Sequence, residues 1–316
     1  MRVHRSVPAR FPGRPVVAIG MFDGVHRGHA VILRDAVTRA RASGRPSVVL
    51  TFDRHPLASL APHIAPHCLM TGGQRLTALA ACGVDEAVVV RFTRAFSLIP
   101  PADFVRKVLV RRMGASHVTV GYDFRFGRGG RGNAALLREM GARLGFGVTV
   151  VPPVLEKGEP ISSTRIRRLV SMGRVGTATR LLGRPFSVAG RVVRGRGLGR
   201  KLGFPTINVR PANELIPPPG VYTARFGPRG LPAVVNLGFR PTVEYRPRPP
   251  LLEVHLLGRV PRPIPACPET GLLGFMRPEL KFRSINALRA RIAADVAAAR
   301  AAFRKPTTLT GKRRGR

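Results

Sequence analysis

The sequence predicts two domains: an α/β domain built on a parallel sheet, and then a small antiparallel β-barrel that ends in a helix. The chain has 316 residues, which is about twice the usual size of one domain. Up to residue 182, short apolar segments alternate with segments of helical periodicity, as in a parallel sheet covered by helices. From residue 183, short β-rich segments separated by Gly and Pro clusters favour a small barrel.

The first domain is predicted over residues 1–182. Residues 15–20 form a short apolar run, and residues 27–43 carry apolar side chains at helical spacing, so a strand, a tight glycine turn and a helix open the domain. The alternation then continues to residue 151. Further strands are predicted at 47–52, 86–92, 117–122 and 147–151, and further helices at 73–81, 102–112 and 134–144.

The second domain is predicted over residues 183–303, with strands at 187–193, 220–226, 233–237 and 251–257. A closing helix is predicted at 284–303, because Ser284 suits an N-cap and an apolar stripe follows it. The stripe consists of Ile285, Leu288, Ile292, Val296 and Phe303. Residues 304–316 are basic, polar and without periodicity, which predicts a disordered tail.

The composition excludes several classes of protein. No apolar run approaches the ~20 residues needed to cross a bilayer, and the first residues lack the apolar centre of a signal peptide, so we expect a soluble, cytoplasmic protein. The three cysteines, Cys68, Cys82 and Cys267, contain no C-x-x-C pair. This excludes a disulfide framework and a cysteine-based zinc site. The chain also lacks the G-x-x-x-x-G-K-[ST] P-loop motif for ATP.

The net charge of +38 is the most unusual feature of the composition, and basic surfaces attract nucleic acids. Only six of the 54 basic residues are lysines, whereas Gly and Pro are abundant. Arg, Gly and Pro have GC-rich codons and Lys does not, so a biased genome explains both the Arg excess and the Lys deficit. Neither a specific nucleic acid nor a membrane is therefore expected as a partner, and the sequence leaves an oligomer open.

The first chemical motif runs from Gly20 to His29, where the first predicted strand meets the first predicted helix. Backbone N–H groups at a helix start and two imidazoles can converge on one anion, and glycines let the backbone approach it. No side chain here is a nucleophile, so the motif predicts a phosphate site that stabilises charge on a phosphoryl group. Its assigned residues are Gly20, Phe22, Asp23, Gly24, His26, Gly28 and His29.

A second motif, Ile-Ser-Ser-Thr-Arg-Ile-Arg, covers residues 161–167 and precedes a helical stretch. Hydroxyls at a helix start can cap the helix and bind a phosphate oxygen, and a guanidinium one turn later can clamp a phosphate. Together the two motifs resemble the nucleotidylyltransferase superfamily, in which ATP lies across a Rossmann-like sheet and an incoming phosphate attacks its α-phosphorus. The resemblance implies that Ser162, Ser163, Thr164 and Arg167 bind ATP phosphates with His26 and His29.

Further motifs resemble the prokaryotic bifunctional riboflavin kinase/FAD synthetase family. In the first domain these are Thr-Phe-Asp-Arg-His-Pro at 51–56, Gly-Tyr-Asp-Phe-Arg-Phe-Gly at 121–127 and Arg-Gly-Asn at 131–133. In the second they include Gly-Arg-Lys-Leu-Gly-Phe-Pro-Thr-Ile-Asn at 199–208, Asn-Leu-Gly-Phe-Arg-Pro-Thr at 236–242 and Glu-Val-His-Leu at 253–256. The resemblance runs from about Val16 to Phe303.

This resemblance implies a Rossmann-like FMN adenylyltransferase domain and a riboflavin kinase barrel, which together make FMN and then FAD with ATP and Mg²⁺. In the kinase barrel, Thr206 and Asn208 would hold Mg²⁺ and phosphate, and Gly203 would lie near ATP. Glu253 would be the general base for the ribityl hydroxyl; a carboxylate suits that role, and oxygen ligands suit Mg²⁺. The residues expected near the flavin of the first domain are Phe52, Asp123, Phe124 and Phe126.

Two alternatives stay open. One is an FMN adenylyltransferase whose barrel is structural only. It is favoured by the proline-rich stretch at 261–268, which stands where the family has an Asp-Phe and an Asp-Leu-Tyr-Gly segment; proline removes hydrogen-bond donors from a strand. The other is a basic RNA-binding protein on a relic fold, because residues 161–316 carry a net charge of +25, against +13 for residues 1–160.

Overall fold

The computed structural model describes residues 1–195, 197–238, 250–260 and 263–304, and these form two compact units. The first unit contains residues 1–168 and 181–183, and the second contains residues 169–180 and the described residues from 184 onward. The predicted tail, apart from Arg304, lies outside the described residues. Within the described ranges, no helix is long and apolar enough to span a bilayer.

The first unit is built on a six-stranded sheet with the order β1-β4-β3-β2-β5-β6, and all its strand pairs are parallel. The predicted parallel sheet is therefore confirmed. The edge strand β1 was not predicted, because three residues with one apolar side chain give no pattern. The strands are β1 Arg2–His4, β2 Val16–Ile19, β3 Ser47–Phe52, β4 Glu86–Val90, β5 His117–Gly121 and β6 Gly147–Val151.

Helices cover both faces of this sheet. On one face, Val16 and Ala18 of β2 share a core with Leu33 of the first helix, and on the other face Ile19 shares a core with Val105. This alternation follows from the two-residue period of a strand. The helices are α1 Arg27–Ala42, α2 Pro56–Leu60, α3 Gly72–Ala81, α4 Arg94–Ser97, α5 Pro101–Asp103, a π-helix Phe104–Arg112, α6 Ala134–Leu144 and α7 Ser163–Ser171. Short 3₁₀ turns at Pro62–Ile64 and Arg128–Gly130 and the hairpin β7 Leu155–Glu156 with β8 Glu159–Pro160 complete this part.

The strand order changes direction beside β2. The chain moves from β2 to β3 and β4 on one side, and then returns to β5 on the other side. In open α/β sheets, ligands bind outside the carboxyl ends of the strands at such a switch point. The turn after β2 and the loop after β5 therefore border the natural ligand site of this unit.

The second unit contains a closed antiparallel barrel with the order β10-β13-β12-β11-β14-β9, which confirms the predicted barrel. Alternate side chains fill its interior, among them Tyr222, Val235 and Val254, which are fully buried. The strands are β9 Phe186–Val193, β10 Ile207–Pro211, β11 Gly220–Phe226, β12 Leu231–Gly238, β13 Leu251–Leu256 and β14 Glu269–Arg277. The helices of this part are α8 Val175–Leu182, α9 Leu198–Lys201 and α10 Ile285–Arg304.

Helix α10 packs against the outside of the barrel. Its Val296 and Ala299 share a small core with Val221 and Val234, which point outward from β11 and β12. Ser284 caps the helix as predicted, because its Oγ accepts the N–H of Ala287 at 3.2 Å. The predicted stripe was wrong at its first position: Ile285 is 62% exposed, because the helix contacts the barrel only from its second turn onward.

The proline-rich stretch keeps contact with the barrel. Its described part supplies carbonyl oxygens to β9: Val192 N–H donates to Ala266 O at 3.0 Å, and Gly190 N–H donates to Pro268 O at 3.2 Å. Proline lacks the N–H group but retains its carbonyl. In the described part of the stretch, the expected loss of ladder donors does not affect these two bonds, because β9 donates in both and the stretch accepts.

A buried ion pair fastens α10 to β14. The Arg277 guanidinium donates to the Asp295 carboxylate at 2.6 and 3.1 Å, and Arg291 lies 3.3 Å from the same carboxylate. The side chains of Arg277 and Asp295 are 12% and 9% exposed. Breaking a buried pair leaves an uncompensated charge, which typically costs about 3–5 kcal/mol.

We therefore expect Asp295→Asn to lower the free energy of unfolding of the barrel unit by about 3 kcal/mol, measured as hydrogen-exchange protection of the β14 amides. Asp103→Asn is the matched control, because Asp103 pairs with Lys107 in an exposed pair. Its effect on its own unit should stay below about 1 kcal/mol. Equal effects of the two substitutions would contradict a special role for Asp295.

Candidate functional sites

The switch point of the first unit holds a cleft of about 360 Å³. It brings together most residues that the two motifs predicted, although they are separated by about 140 positions in the chain. Of the residues predicted for this unit, Gly24, Phe52 and Phe126 do not line it. Those that do are Gly20, Phe22, Asp23, His26, Gly28, His29, Asp123, Phe124, Ser162, Ser163, Thr164 and Arg167.

His26 and His29 lie together at the start of α1. His26 is the N-cap of the helix, and its Nδ1 accepts the N–H of His29 at 3.3 Å. The two rings stack with centroids 3.6 Å apart, and the edge of Phe22 supports His29 at 5.3 Å. Gly28 permits this arrangement, because a Cβ there would lie 3.1 Å from the His26 ring. Both imidazoles therefore border the cleft beside the positive end of the helix dipole.

The turn that carries them adopts unusual backbone conformations. Phe22, Gly24 and Val25 have φ values of 50°, 85° and 36°, and such values are costly for side chains other than glycine. Gly24 also has no room for a side chain, because a Cβ would lie 2.8 Å from Leu69. The strain at Phe22 and Val25 persists because both side chains are buried in the core beneath the turn.

A second helix start faces the same cleft. Ser162 caps α7 by accepting the N–H of Arg165 at 3.2 Å, and Ser163 Oγ donates to Asp23 O at 2.8 Å. Thr164 is exposed in the first turn. Two helix N-termini and their hydroxyls therefore border one cleft, which is an arrangement that binds anions.

Arg167 is held by a buried carboxylate. Its Nη2 donates to Asp23 Oδ2 at 2.7 Å, and its Nε donates to His67 O at 2.9 Å. Asp23 is 2% exposed and also accepts the N–H of Leu69 at 3.0 Å. Asp23 thus holds the Arg167 guanidinium at the cleft, and its predicted role in phosphate binding stays a prediction.

A buried cation that no sequence motif predicted lies beneath the cleft. Arg75 of α3 is 5% exposed, and its guanidinium donates to the carbonyls of Met21 and Phe52, at the ends of β2 and β3. Burial lowers its pKa, and the charge of Asp23 opposes this shift. A charged residue one turn before Leu79, on the buried face of a predicted helix, was the signal that could have found it.

Phenylalanines form a continuous chain from the end of β3 to the cleft. Phe52 contacts Phe96 with ring centroids 5.8 Å apart, and Phe126 stacks on Phe124 at 5.5 Å. Phe104 of the π-helix links the two pairs. Phe124 alone of these rings lines the cleft, so Phe52 and Phe126 support it from behind.

The second candidate site lies on the outer face of the barrel. Glu253 of β13 is the cross-strand partner of Asn208 on β10 and of Asn236 on β12. Direct cross-strand partners project from the same face. The interior positions on either side of Glu253 are Leu252 and Val254, which are fully buried. Three neighbouring strands therefore present an amide, a carboxylate and an amide in one row.

The glycine-rich loop before β10 folds over the predicted Mg²⁺ ligands. A Cβ on Gly195 would lie 2.1 Å from Asn208 Nδ2, and a Cβ on Gly199 would lie 3.2 Å from Thr206 Oγ1. These close approaches explain why the loop needs glycine at both positions. The loop thus contacts both oxygen-bearing side chains.

A cavity of about 950 Å³ opens between the loop and α10, and Thr206, Asn208 and Glu253 of the predicted kinase site do not line it. Gly203 and His255 line it, and His255 Nδ1 donates to Pro205 O at 3.0 Å. Residues 239–242 of the family motif lie outside the part of the chain that the structure describes. The cavity is large enough for a nucleotide or a flavin.

The fit of Gly24 against Leu69 gives a test of the first site. We expect Gly24→Ala to weaken ATP binding about tenfold or more, because the added Cβ displaces the turn that carries His26. Gly44→Ala is the matched control: Gly44 also has a positive φ of 62°, but nothing lies within 4 Å of its Cβ position. Calorimetric titration of both variants with ATP checks this; equal affinities would contradict it.

Comparison with known proteins gives the family of each part of the chain. The family model described as FAD synthetase matches residues 9–165, and the model described as riboflavin kinase matches residues 182–303. The bifunctional riboflavin kinase/FMN adenylyltransferase of Escherichia coli K12 is 38% identical over 291 residues, which is 91% of this chain and 92% of that protein. The Pseudomonas fluorescens protein of the same name is 39% identical over 288 residues, which is 90% and 92% of the two chains.

A solved structure covers both units. It is described as a macrolide-efflux protein from Streptococcus pneumoniae, and it matches with a TM-score of 0.85 at 28% identity, over 95% of this chain and 99% of that one. That description applies to the Streptococcus protein, and the likeness establishes a shared fold. From the two family models and the extent of the identity, this chain belongs to the family of bifunctional riboflavin kinase/FMN adenylyltransferases.

Proposed function

We infer that this protein is an enzyme with two activities. The barrel transfers the γ-phosphoryl group of ATP to riboflavin and makes FMN; the first unit transfers AMP from ATP to FMN and makes FAD and pyrophosphate. The observation that carries this inference is that residues 9–165 match the FAD synthetase family and residues 182–303 match the riboflavin kinase family. Neither alternative finds support, because the riboflavin kinase match includes the proline-rich stretch and neither matching family is described as RNA-binding.

Adenylylation needs charge stabilisation more than a base, because the attacking FMN phosphate is already ionised. Its oxygen attacks the α-phosphorus of ATP, and pyrophosphate leaves. His26 accepts a hydrogen bond at Nδ1, so its neutral ring carries the proton on Nε2 and can donate it to a phosphate oxygen. With His29, Arg167 and the two helix starts, this gives several preorganised donors for the developing charge.

We expect His29→Ala to slow FAD formation by roughly 10²–10³-fold, the usual effect of removing one preorganised donor. FMN formation in the barrel should continue at the wild-type rate. His63→Ala is the control, because His63 is an exposed histidine in the same unit and does not line the cleft. Chromatography of flavins after incubation with FMN or riboflavin and ATP separates the two activities. Equal loss of both in a folded variant would contradict two independent sites.

Arg125 gives the first unit a means to select a phosphorylated flavin. It lines the cleft beside Phe124, and it forms no ion pair within the described ranges, whereas Arg167 already pairs with Asp23. A dianionic FMN phosphate must approach the anionic triphosphate, and a cation beside it reduces that repulsion. We assign Arg125 to the FMN phosphate, a residue that the sequence analysis did not identify.

We expect Arg125→Met to raise the KM for FMN about tenfold or more, in line with the loss of a charge-assisted hydrogen bond, with a smaller effect on the KM for ATP. Arg128→Met is the control, since Arg128 is exposed on the same loop and lies outside the cleft lining. Steady-state kinetics of FAD formation measures both constants. A KM for FMN that stays at the wild-type value would contradict the assignment.

Phosphorylation of riboflavin needs a base, because its nucleophile is an alcohol. We propose that Glu253 accepts the proton of the terminal ribityl hydroxyl while that oxygen attacks the γ-phosphorus and ADP leaves. Thr206 and Asn208 offer a hydroxyl and an amide oxygen, which fit Mg²⁺ when ATP phosphates and water complete its ligands. When bound by these two residues, Mg²⁺ would supply positive charge to the phosphates.

Substitution of Glu253 by Gln keeps the shape of the side chain and removes the proton acceptor. We expect the rate of FMN formation to fall by roughly 10²-fold or more, with FAD formation from FMN unchanged. Glu269→Gln is the matched control, because Glu269 is an exposed carboxylate on the same barrel, where it accepts a hydrogen bond from Ser187. A wild-type kinase rate in Glu253→Gln would exclude Glu253 as the base.

A further inference from the structure

The row of polar residues on the barrel extends beyond the residues that the motifs assigned. Asn236 of β12 is the direct cross-strand partner of Glu253, on the side opposite Asn208. The neighbouring positions Val235 and Leu237 point into the barrel and are buried, at 0% and 1% exposed. Asn236 is half-buried on the outer face. It is therefore a direct cross-strand neighbour of the carboxylate, as Asn208 is.

A second carboxylate orients this amide. Glu279 follows β14, and its Oε1 accepts a hydrogen bond from Asn236 Nδ2 at 3.4 Å. The same carboxylate rests on the backbone of Gly238, where a Cβ would lie 1.9 Å from Oε1. Glycine at 238 thus makes room for Glu279. Because Nδ2 is directed to Glu279, the Asn236 carbonyl oxygen is directed to the other side of the amide group.

The chemistry of this row matches a polyol. Neighbouring antiparallel strands lie about 4.8 Å apart, so side chains one strand apart can contact different hydroxyls of one extended chain. Amides and carboxylates accept hydrogen bonds from hydroxyls, and an amide can also donate to them. The flavin substrate of the kinase carries such a chain, the ribityl group, and its terminal hydroxyl must reach Glu253.

We propose that Asn236 binds a hydroxyl of the ribityl chain other than the one that is phosphorylated, and that Glu279 holds the Asn236 amide in the orientation this requires. The assignment rests on the kinase function proposed above. Glu253 receives the terminal hydroxyl, and Asn236, one strand away, fixes a hydroxyl further along the chain. Asn236 is thus a specificity residue for the sugar alcohol of the flavin, and Glu279 is a positioning residue.

The test compares riboflavin with its 2′-, 3′- and 4′-deoxy analogues as kinase substrates. With wild-type protein, one analogue should lose about tenfold in kcat/KM, the effect of one hydrogen bond. With Asn236→Ala, riboflavin should lose a similar factor, and the analogue should lose nothing further. Glu279→Gln, and Gly238→Ala, which displaces Glu279, should reduce the discrimination partly. The KM for ATP should keep its wild-type value.

Two measurements separate this role from a structural one. FAD formation from added FMN and thermal unfolding report whether each variant folds. The kinase activity of Asn236→Leu, which keeps the side-chain volume, is compared with that of Asn236→Ala. Asn286→Ala is the matched control, because Asn286 is exposed on α10. If both Asn236 variants discriminate against the deoxy analogues as strongly as the wild-type protein does, the role of Asn236 is overturned and the kinase function is not. Wild-type protein that phosphorylates no riboflavin would overturn the kinase function and this assignment with it.

Discussion

The buried ion pair between Asp23 and Arg167 is the interaction on which the first site depends. Two charges removed from water are stable only when each satisfies the other, so the strained turn after β2 and the start of α7 must stay together. Leu69 N–H and His67 O add hydrogen bonds to the same pair. The pair therefore brings the two helix N-termini, the two histidines and the Arg167 guanidinium together, although Asp23 and Arg167 are about 140 residues apart in the sequence.

In the barrel, strand register is the equivalent constraint. Side chains of a strand alternate between faces, so a shift of one residue in β13 would move Glu253 into the interior and expose Val254. The interior tolerates no charge, and this keeps the register that aligns Asn208, Glu253 and Asn236. The apolar side of each strand thus determines the position of the polar row on its other side.

The two sites differ because their nucleophiles differ. In the mechanism proposed for the first unit, FMN attacks with an ionised phosphate, and His26, His29, Arg125 and the two helix starts supply cations and N–H donors. Riboflavin attacks with an alcohol, which must lose a proton, and the barrel places a carboxylate between two amides. Both reactions use ATP. The side chains that each reaction needs around ATP depend on which phosphorus is attacked and on which oxygen attacks it.

The sequence alone determined the fold class and the family, and it located the two motifs that border the first cleft, because strand alternation, helix caps and glycine turns are local properties. Strands β10 and β14 of the second unit were not predicted, because their apolar pattern is interrupted. The exposure of Ile285 was not predicted either, because it depends on where α10 meets the barrel. Tertiary structure alone decided that Asp23 pairs with Arg167, that Arg75 lies beneath the cleft, that Asn236 lies beside Glu253, and that Glu279 binds Asn236. These contacts join residues far apart in the chain, and no local pattern records which strand or helix a side chain will face.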